Sequence, residues 1–130
     1  MVIDSSALVS IVLEEPGFSF YVESIAKAAT RWMSAASMLE TSIVVSREKG
    51  ADGIAVLKKF LADSRIQVVE FTEHQAHLAF AAHQRFGKGM GHPAQLNILD
   101  CCTYALAADL KEPLLFKGAD FDKTDLALAK

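Results

Sequence analysis

Short apolar runs and longer stretches of helical periodicity alternate along the whole chain, and this alternation constrains the fold more than any other feature. Met1-Val2-Ile3, Trp32-Met33, Ile66-Gln67-Val68-Val69 and Pro113-Leu114-Leu115-Phe116 have the length and residue types of buried strands. Between them lie helical patterns. Leu8, Ile11 and Val12 share a face within Ala7 to Glu14, which Pro16-Gly17 ends. Phe18, Tyr21, Val22 and Ile25 repeat that spacing within Phe18 to Ala29. Ser37 opens a helix that Gly50 closes after Lys49, and Ile54, Leu57, Phe60 and Leu61 mark another. Glu73 to Phe86 reads as helix, and Asn97 caps one that runs to about Leu110. Leu126 to Ala129 suggests a short last strand, whereas three glycines and a proline make Gly87 to Pro93 an irregular loop. Strands that alternate with helices of this length predict a layered α/β fold with a mostly parallel sheet. Such sheets bind ligands outside the carboxyl ends of their strands.

A chain of 130 residues, 52% of them hydrophobic and 22% charged, suffices for one domain with a real core over residues 1–130. No apolar run approaches the ~20 residues that span a bilayer, and Asp4 interrupts the opening where a secretory signal would stay apolar. Cys101 and Cys102 are adjacent and have no third cysteine to pair with, so reduced, buried thiols in a cytoplasmic protein are expected. Thirteen basic and sixteen acidic residues give a net charge of −3, which argues against coating nucleic acid by bulk charge. It leaves room for local binding of one strand. The mean hydropathy of +0.24 is high enough to leave apolar surface for a homodimer or a partner's helix.

Four acids fall where that sheet rule directs attention. Asp4 directly follows the first strand, and Asp120 lies past the last clear one, after Lys117-Gly118-Ala119. Glu40 and Asp100 fit the first turns of their helices, in Ser37-Met38-Leu39-Glu40 and Asn97-Ile98-Leu99-Asp100. Each of the four also has an ordinary reading as a cap or turn former, since carboxylates favour the positive end of a helix. Gathered in one pocket, they would repel one another unless a cation joined them. Hard Mg²⁺ or Mn²⁺ suits such oxygen donors, acidifies water and offsets the charge that builds on a phosphate.

Read together, three segments resemble the PIN-domain ribonucleases, and the VapC-type toxins in particular. They are Val2-Ile3-Asp4-Ser5-Ser6-Ala7-Leu8, the run from Gly91-His92-Pro93 through Asp100-Cys101-Cys102 to Ala107, and Pro113 to Phe121 followed by Thr124-Asp125-Leu126. The resemblance implies a three-layer fold with a sheet of four or five mostly parallel strands and helices on both faces. It implies Mg²⁺- or Mn²⁺-dependent endonuclease activity on RNA, and inhibition by a cognate VapB-type antitoxin. By position it makes Asp4, Glu40, Asp100 and Asp120 the catalytic metal ligands, with Ser5 supporting them. This chain departs from the pattern twice: Ile98-Leu99 replaces Phe-Gly, and Ala119 replaces an Asn beside Asp120, which leaves Asp122 and Asp125 as alternatives for the fourth acid.

Arg85, Lys88 and Lys117 are candidates to flank the acids and touch RNA phosphates, although a solvated face would account for them equally well. His74 and His77 lack the further ligands that zinc requires. His92 either orders its loop or touches RNA. Gly87 to Gly91 has no phosphate-loop spacing. Two other functions share some of these features: a phospho-accepting receiver-like domain, and a catalytically silent PIN module that only binds RNA or protein.

Overall fold

The computed structural model describes residues 1–129. In chain order, its elements are β1 (Val2–Ile3), α1 (Ser5–Val12), α2 (Phe18–Lys27), β2 (Trp32–Ser34), α3 (Ala35–Asp63), β3 (Gln67–Val69), α4 (Glu73–Phe86), α5 (Ile98–Leu110) and β4 (Leu114–Leu115). The sheet order is β3-β2-β1-β4 and every pairing is parallel. Val2 registers with both Trp32 and Leu114, so the two-residue β1 lies in the interior of the sheet.

The two-residue strands β1 and β4 hold because both of their faces are buried. Val2 and Leu114 point into a core with Ala82 and Phe86 of α4 and with Tyr104, Ala105 and Leu106 of α5. Ile3 and Leu115 point the other way, joining Met33 of β2, Ala7, Leu8 and Ile11 of α1, and Ile25 of α2. Successive strand residues alternate faces, so a helix layer on each side turns a two-residue strand into two core contacts. Each such side chain contributes about 1.5–3 kcal/mol on leaving water, more than the ~1 kcal/mol net of a ladder hydrogen bond. Burial between two helix layers also explains why β1 and β4 read as unbroken apolar runs, whereas the edge strand β3 includes Gln67 and is largely exposed.

The element boundaries differ from the sequence expectation in instructive ways. Asp4 caps α1, which therefore starts at Ser5 rather than Ala7. Ser34, not Ser37, caps α3: its hydroxyl accepts the Ala36 N–H at 3.2 Å, and the chain passes from β2 into the helix without a loop. The expected Ser37–Glu40 capping box is therefore absent, and Glu40 lies in the second turn. The two expected helices on either side of Gly50 form one element, bent where Gly50 takes φ 60° and ψ −149°. Val45 and Leu57, on opposite sides of that bend, share a buried cluster with Val12. Twelve residues of straight helix would hold them ~18 Å apart, so the bend folds α3 back on itself. The expected last strand reduces to a single parallel bridge, Leu114 with Leu128.

Candidate active site

The carboxyl ends of β1 and β4 open into a cleft of about 470 Å³, lined by Asp4, Ser5, Glu40, Asp100, Lys117 and Asp120 among others. Each acid is supplied by a different element. Asp4 emerges at the end of β1 and is 4% exposed. Its Oδ2 accepts the Ser6 N–H at 3.0 Å and the Ser6 hydroxyl at 2.7 Å, while Oδ1 accepts the Thr103 hydroxyl at 2.8 Å. Asp4 thus caps α1 and lines the cleft at the same time. Glu40 comes from α3 and accepts a hydrogen bond from the Ser5 hydroxyl. Asp100 comes from the first turn of α5, where a full capping box forms: Asn97 Oδ1 accepts the Asp100 N–H at 2.8 Å and Asp100 Oδ2 accepts the Asn97 N–H at 3.0 Å. Asp120 is exposed on the turn after β4.

Electrostatics link the four. Burial pushes the Asp100 carboxyl up to about 6, against the pull of its hydrogen bond from the Asn97 backbone, and the negative charges of Asp4, Asp120 and Glu40 push it further the same way. The cleft thus holds negative charge that a cation would relieve. The site residues fit a hard divalent ion by donor chemistry: its ionisable donors are carboxylates, with no thiol or imidazole among them. Among the described residues no three His, Cys, Asp or Glu side chains are already gathered for ligation. An ion that keeps several of its waters, as Mg²⁺ does, suits carboxylates that are not already gathered.

Of the three basic candidates, only Lys117 lines the cleft. Its ammonium lies 3.0 Å from Glu15 Oε1, and its backbone N–H donates to Ser6 Oγ at 2.8 Å. Arg85 does not flank the acids. It leaves the last turn of α4 to bond Asp125 at 3.1 Å, its guanidinium carbon 4.5 Å from the centre of the Phe86 ring. The side chain of Lys88 is exposed on the loop after α4 and is not part of the lining. Asp120 alone of the last three acids considered lines the cleft, since Asp125 is engaged by Tyr104 and Arg85 and Asp122 lies outside the lining. His92 orders its own loop: Nδ1 accepts the Ala94 N–H at 3.0 Å and the ring meets Phe86 edge-on. His74 sits 3.4 Å from Asp109.

The cysteines serve the core. Both are buried and free, and burial followed by the nearby Asp100 charge pushes the Cys101 thiol up to about 11. Sequence reasoning missed the hydroxyls of Ser6, Ser37 and Thr103. A signal was available for two of them, because Ser37 precedes Glu40 and Thr103 follows Asp100 by three residues, the spacing of one helix face.

A model of the PIN domain family matches residues 1–126. The chain belongs to the PIN-domain family. Within it, Ribonuclease VapC28 of Mycobacterium tuberculosis is 42% identical over 129 residues, covering 99% of this chain and 97% of that protein. The fold is that of solved VapC structures. The sarcin–ricin loop cleaving toxin VapC20 of Mycobacterium tuberculosis superposes with a TM-score of 0.79 at 12% identity, over 97% of this chain and 95% of that one. A chain of VapBC2 from Rickettsia felis, solved bound to a DNA fragment from their promoter, gives 0.72 at 19% identity, over 98% and 95%. Membership in this family removes the receiver-like alternative.

Proposed function

We propose that this protein is a metal-dependent endoribonuclease, the toxin component of a VapBC-type toxin–antitoxin pair. The observation that carries the reading is the acidic cleft at the sheet's carboxyl edge, where four carboxylates from four elements act on one another's charge. Family membership and the ribonuclease names of its relatives support it.

Asp4, Glu40, Asp100 and Asp120 would hold Mg²⁺ or Mn²⁺, and the ion, when bound, supplies charge neutralisation for the scissile phosphate and an acidified water. The protein contributes position. Asp4 is immobilised by three hydrogen bonds, and Ser5 holds Glu40 toward the same cleft. Lys117, at the rim, is placed to meet an RNA phosphate if it exchanges Glu15 for the substrate. Arg85 and Lys88 do not line the cleft and are left as contacts for other parts of an RNA.

The proposed partners are RNA, a VapB-type antitoxin and a second copy of the chain, all in the cytoplasm. Among the described residues, no helix is long and apolar enough to cross a membrane. An apolar groove of about 450 Å³ between α4 and α5, edged by Phe71, Phe80 and Ile98, supplies surface that a homodimer would cover. Sedimentation showing only monomer at micromolar concentration would remove that second copy.

The deciding experiment is cleavage of a mixed RNA pool by antitoxin-free protein in Mg²⁺, Mn²⁺ or EDTA, beside Asp4→Asn and Asp100→Asn. Cleavage that requires metal and is lost in both variants supports the nuclease. RNA binding without metal-dependent cleavage would replace it with a silent PIN module.

A further inference from the structure

Behind the acids stand two buried hydroxyls. Ser37 on α3 and Thr103 on α5 are each 1% exposed, and their oxygens are 2.8 Å apart. Thr103 Oγ1 also lies 2.8 Å from Asp4 Oδ1, to which it donates. A threonine hydroxyl has one hydrogen, and an ionised carboxylate only accepts. Thr103 therefore spends its hydrogen on Asp4 and accepts one from Ser37. Counting hydrogens fixes the direction of the relay: Ser37 to Thr103 to Asp4.

Hydroxyls within helices commonly bond the carbonyl four residues back. Thr41 and Ser42, on the same helix as Ser37, do so at 2.8 Å each. Ser37 and Thr103 turn to each other instead, across the interface of α3 and α5. Burying a hydroxyl costs free energy unless it is bonded, and an apolar pair would fill that interface without any such demand.

Helical spacing gives the pair its reach. Glu40 stands three residues beyond Ser37, and Asp100 three residues before Thr103, so each acid shares a face with one hydroxyl. The Ser37–Thr103 bond ties α3 to α5 about one turn from both carboxylates. Its far end holds Asp4, whose other oxygen is taken by Ser6. Three of the four acids, from three elements, are thereby referred to one buried chain of hydrogen bonds.

We propose that Ser37 and Thr103 are positioning residues for the cation site, orienting Asp4 and setting the separation of Glu40 from Asp100. This rests on the reading of the cleft as a cation site. The test is calorimetric titration of metal-stripped, full-chain protein with Mn²⁺, accompanied by metal-free thermal unfolding. It compares the natural sequence with Thr103→Val, Thr103→Ser, Ser37→Ala and the ligand control Asp100→Asn. Loss of a group that orients a ligand weakens metal binding ~10–100-fold, and that is the result expected for Thr103→Val. Thr103→Ser, which keeps the hydroxyl, should bind as the natural sequence does, and Ser37→Ala should fall between. Unaltered Mn²⁺ affinity in folded Thr103→Val overturns the proposal, as does Thr103→Ser binding no better than Thr103→Val. Should Thr103→Val fail to fold, Ser37→Ala decides by the same criterion. Absence of Mn²⁺ binding by the natural sequence defeats the cation reading itself, and the relay falls with it. Binding by the natural sequence with an unaffected Thr103→Val defeats the relay alone.

Discussion

Replacing Asp100 by Asn should make the metal-free protein more stable while removing its activity. The carboxyl is pushed from 3.8 up to about 6, first by burial and then by the charges of Asp4, Asp120 and Glu40. A raised carboxyl means that the folded chain holds a proton more tightly than the unfolded chain does. Stability from this group is therefore fully present below pH 3.8 and is lost as pH rises to about 6. At about 1.4 kcal/mol for each tenfold in proton affinity, the ionised form would cost the fold up to about 3 kcal/mol at neutral pH. Asp100 is partly open to solvent, and screening lowers the expected figure to about 1–2 kcal/mol. The amide that replaces the carboxylate keeps an oxygen for the Asn97 N–H, so the helix cap survives. Urea unfolding in EDTA at pH 7 should show Asp100→Asn ahead of the natural sequence by that margin, and the gap should close by pH 4. Saturating Mg²⁺ should stabilise the natural sequence and leave the variant nearly unmoved. An Asp100→Asn protein that is less stable than the natural sequence at pH 7 in EDTA would refute the claim that the acids strain the fold.

Other perturbations test other parts of the structure. A Cβ on Gly53 would stand 2.5 Å from Lys49 Cβ and 2.8 Å from Val45 Cγ1, so Gly53→Ala should cost about 1–3 kcal/mol in a urea melt and still leave RNA cleavage detectable at low temperature. Tyr104→Phe removes the hydroxyl that donates to Asp125, and should lower stability by about 1 kcal/mol without altering metal dependence. The Tyr104 phenol is pushed up to about 12, chiefly by burial and by Asp125, so absorbance titration of the native protein should leave one tyrosine protonated through pH 11. Thiol labelling at pH 8 should be slow in the folded protein and fast in denaturant, because both cysteines are buried and Cys101 is pushed up to about 11. Rapid labelling of the folded protein would contradict the packing of α5 against α4.

The parts of the fold legible in the sequence are those in which local chemistry and burial agree. Met1-Val2-Ile3 followed by Asp4 states a strand and its end, and Asn97 with Asp100 states a helix start, because both bonds of that box are local. Ser37 was expected to cap α3, but Ser34 does so, and the Ser37 hydroxyl instead meets Thr103, 66 residues away in sequence. Arg85 was expected beside the acids, and nothing near it in sequence announces that Asp125 captures its guanidinium. Four acids at their positions could be read off the chain. Apart from the local Ser6–Asp4 bonds, the hydroxyl network that holds them joins residues far apart in sequence; helical spacing could mark Ser37 and Thr103, but not that they bond each other.

The order in which the chain is made has a consequence for when the cleft exists. β1 emerges from the ribosome well before its partner β4 and the turn bearing Asp120. Asp4 meets Thr103 across 99 positions of sequence. A nascent chain that has displayed α1 to α3 therefore carries two of the acids and none of the closing framework. Since domains fold as units once enough chain has emerged, the cleft cannot form before Thr103, β4 and Asp120 have all left the ribosome.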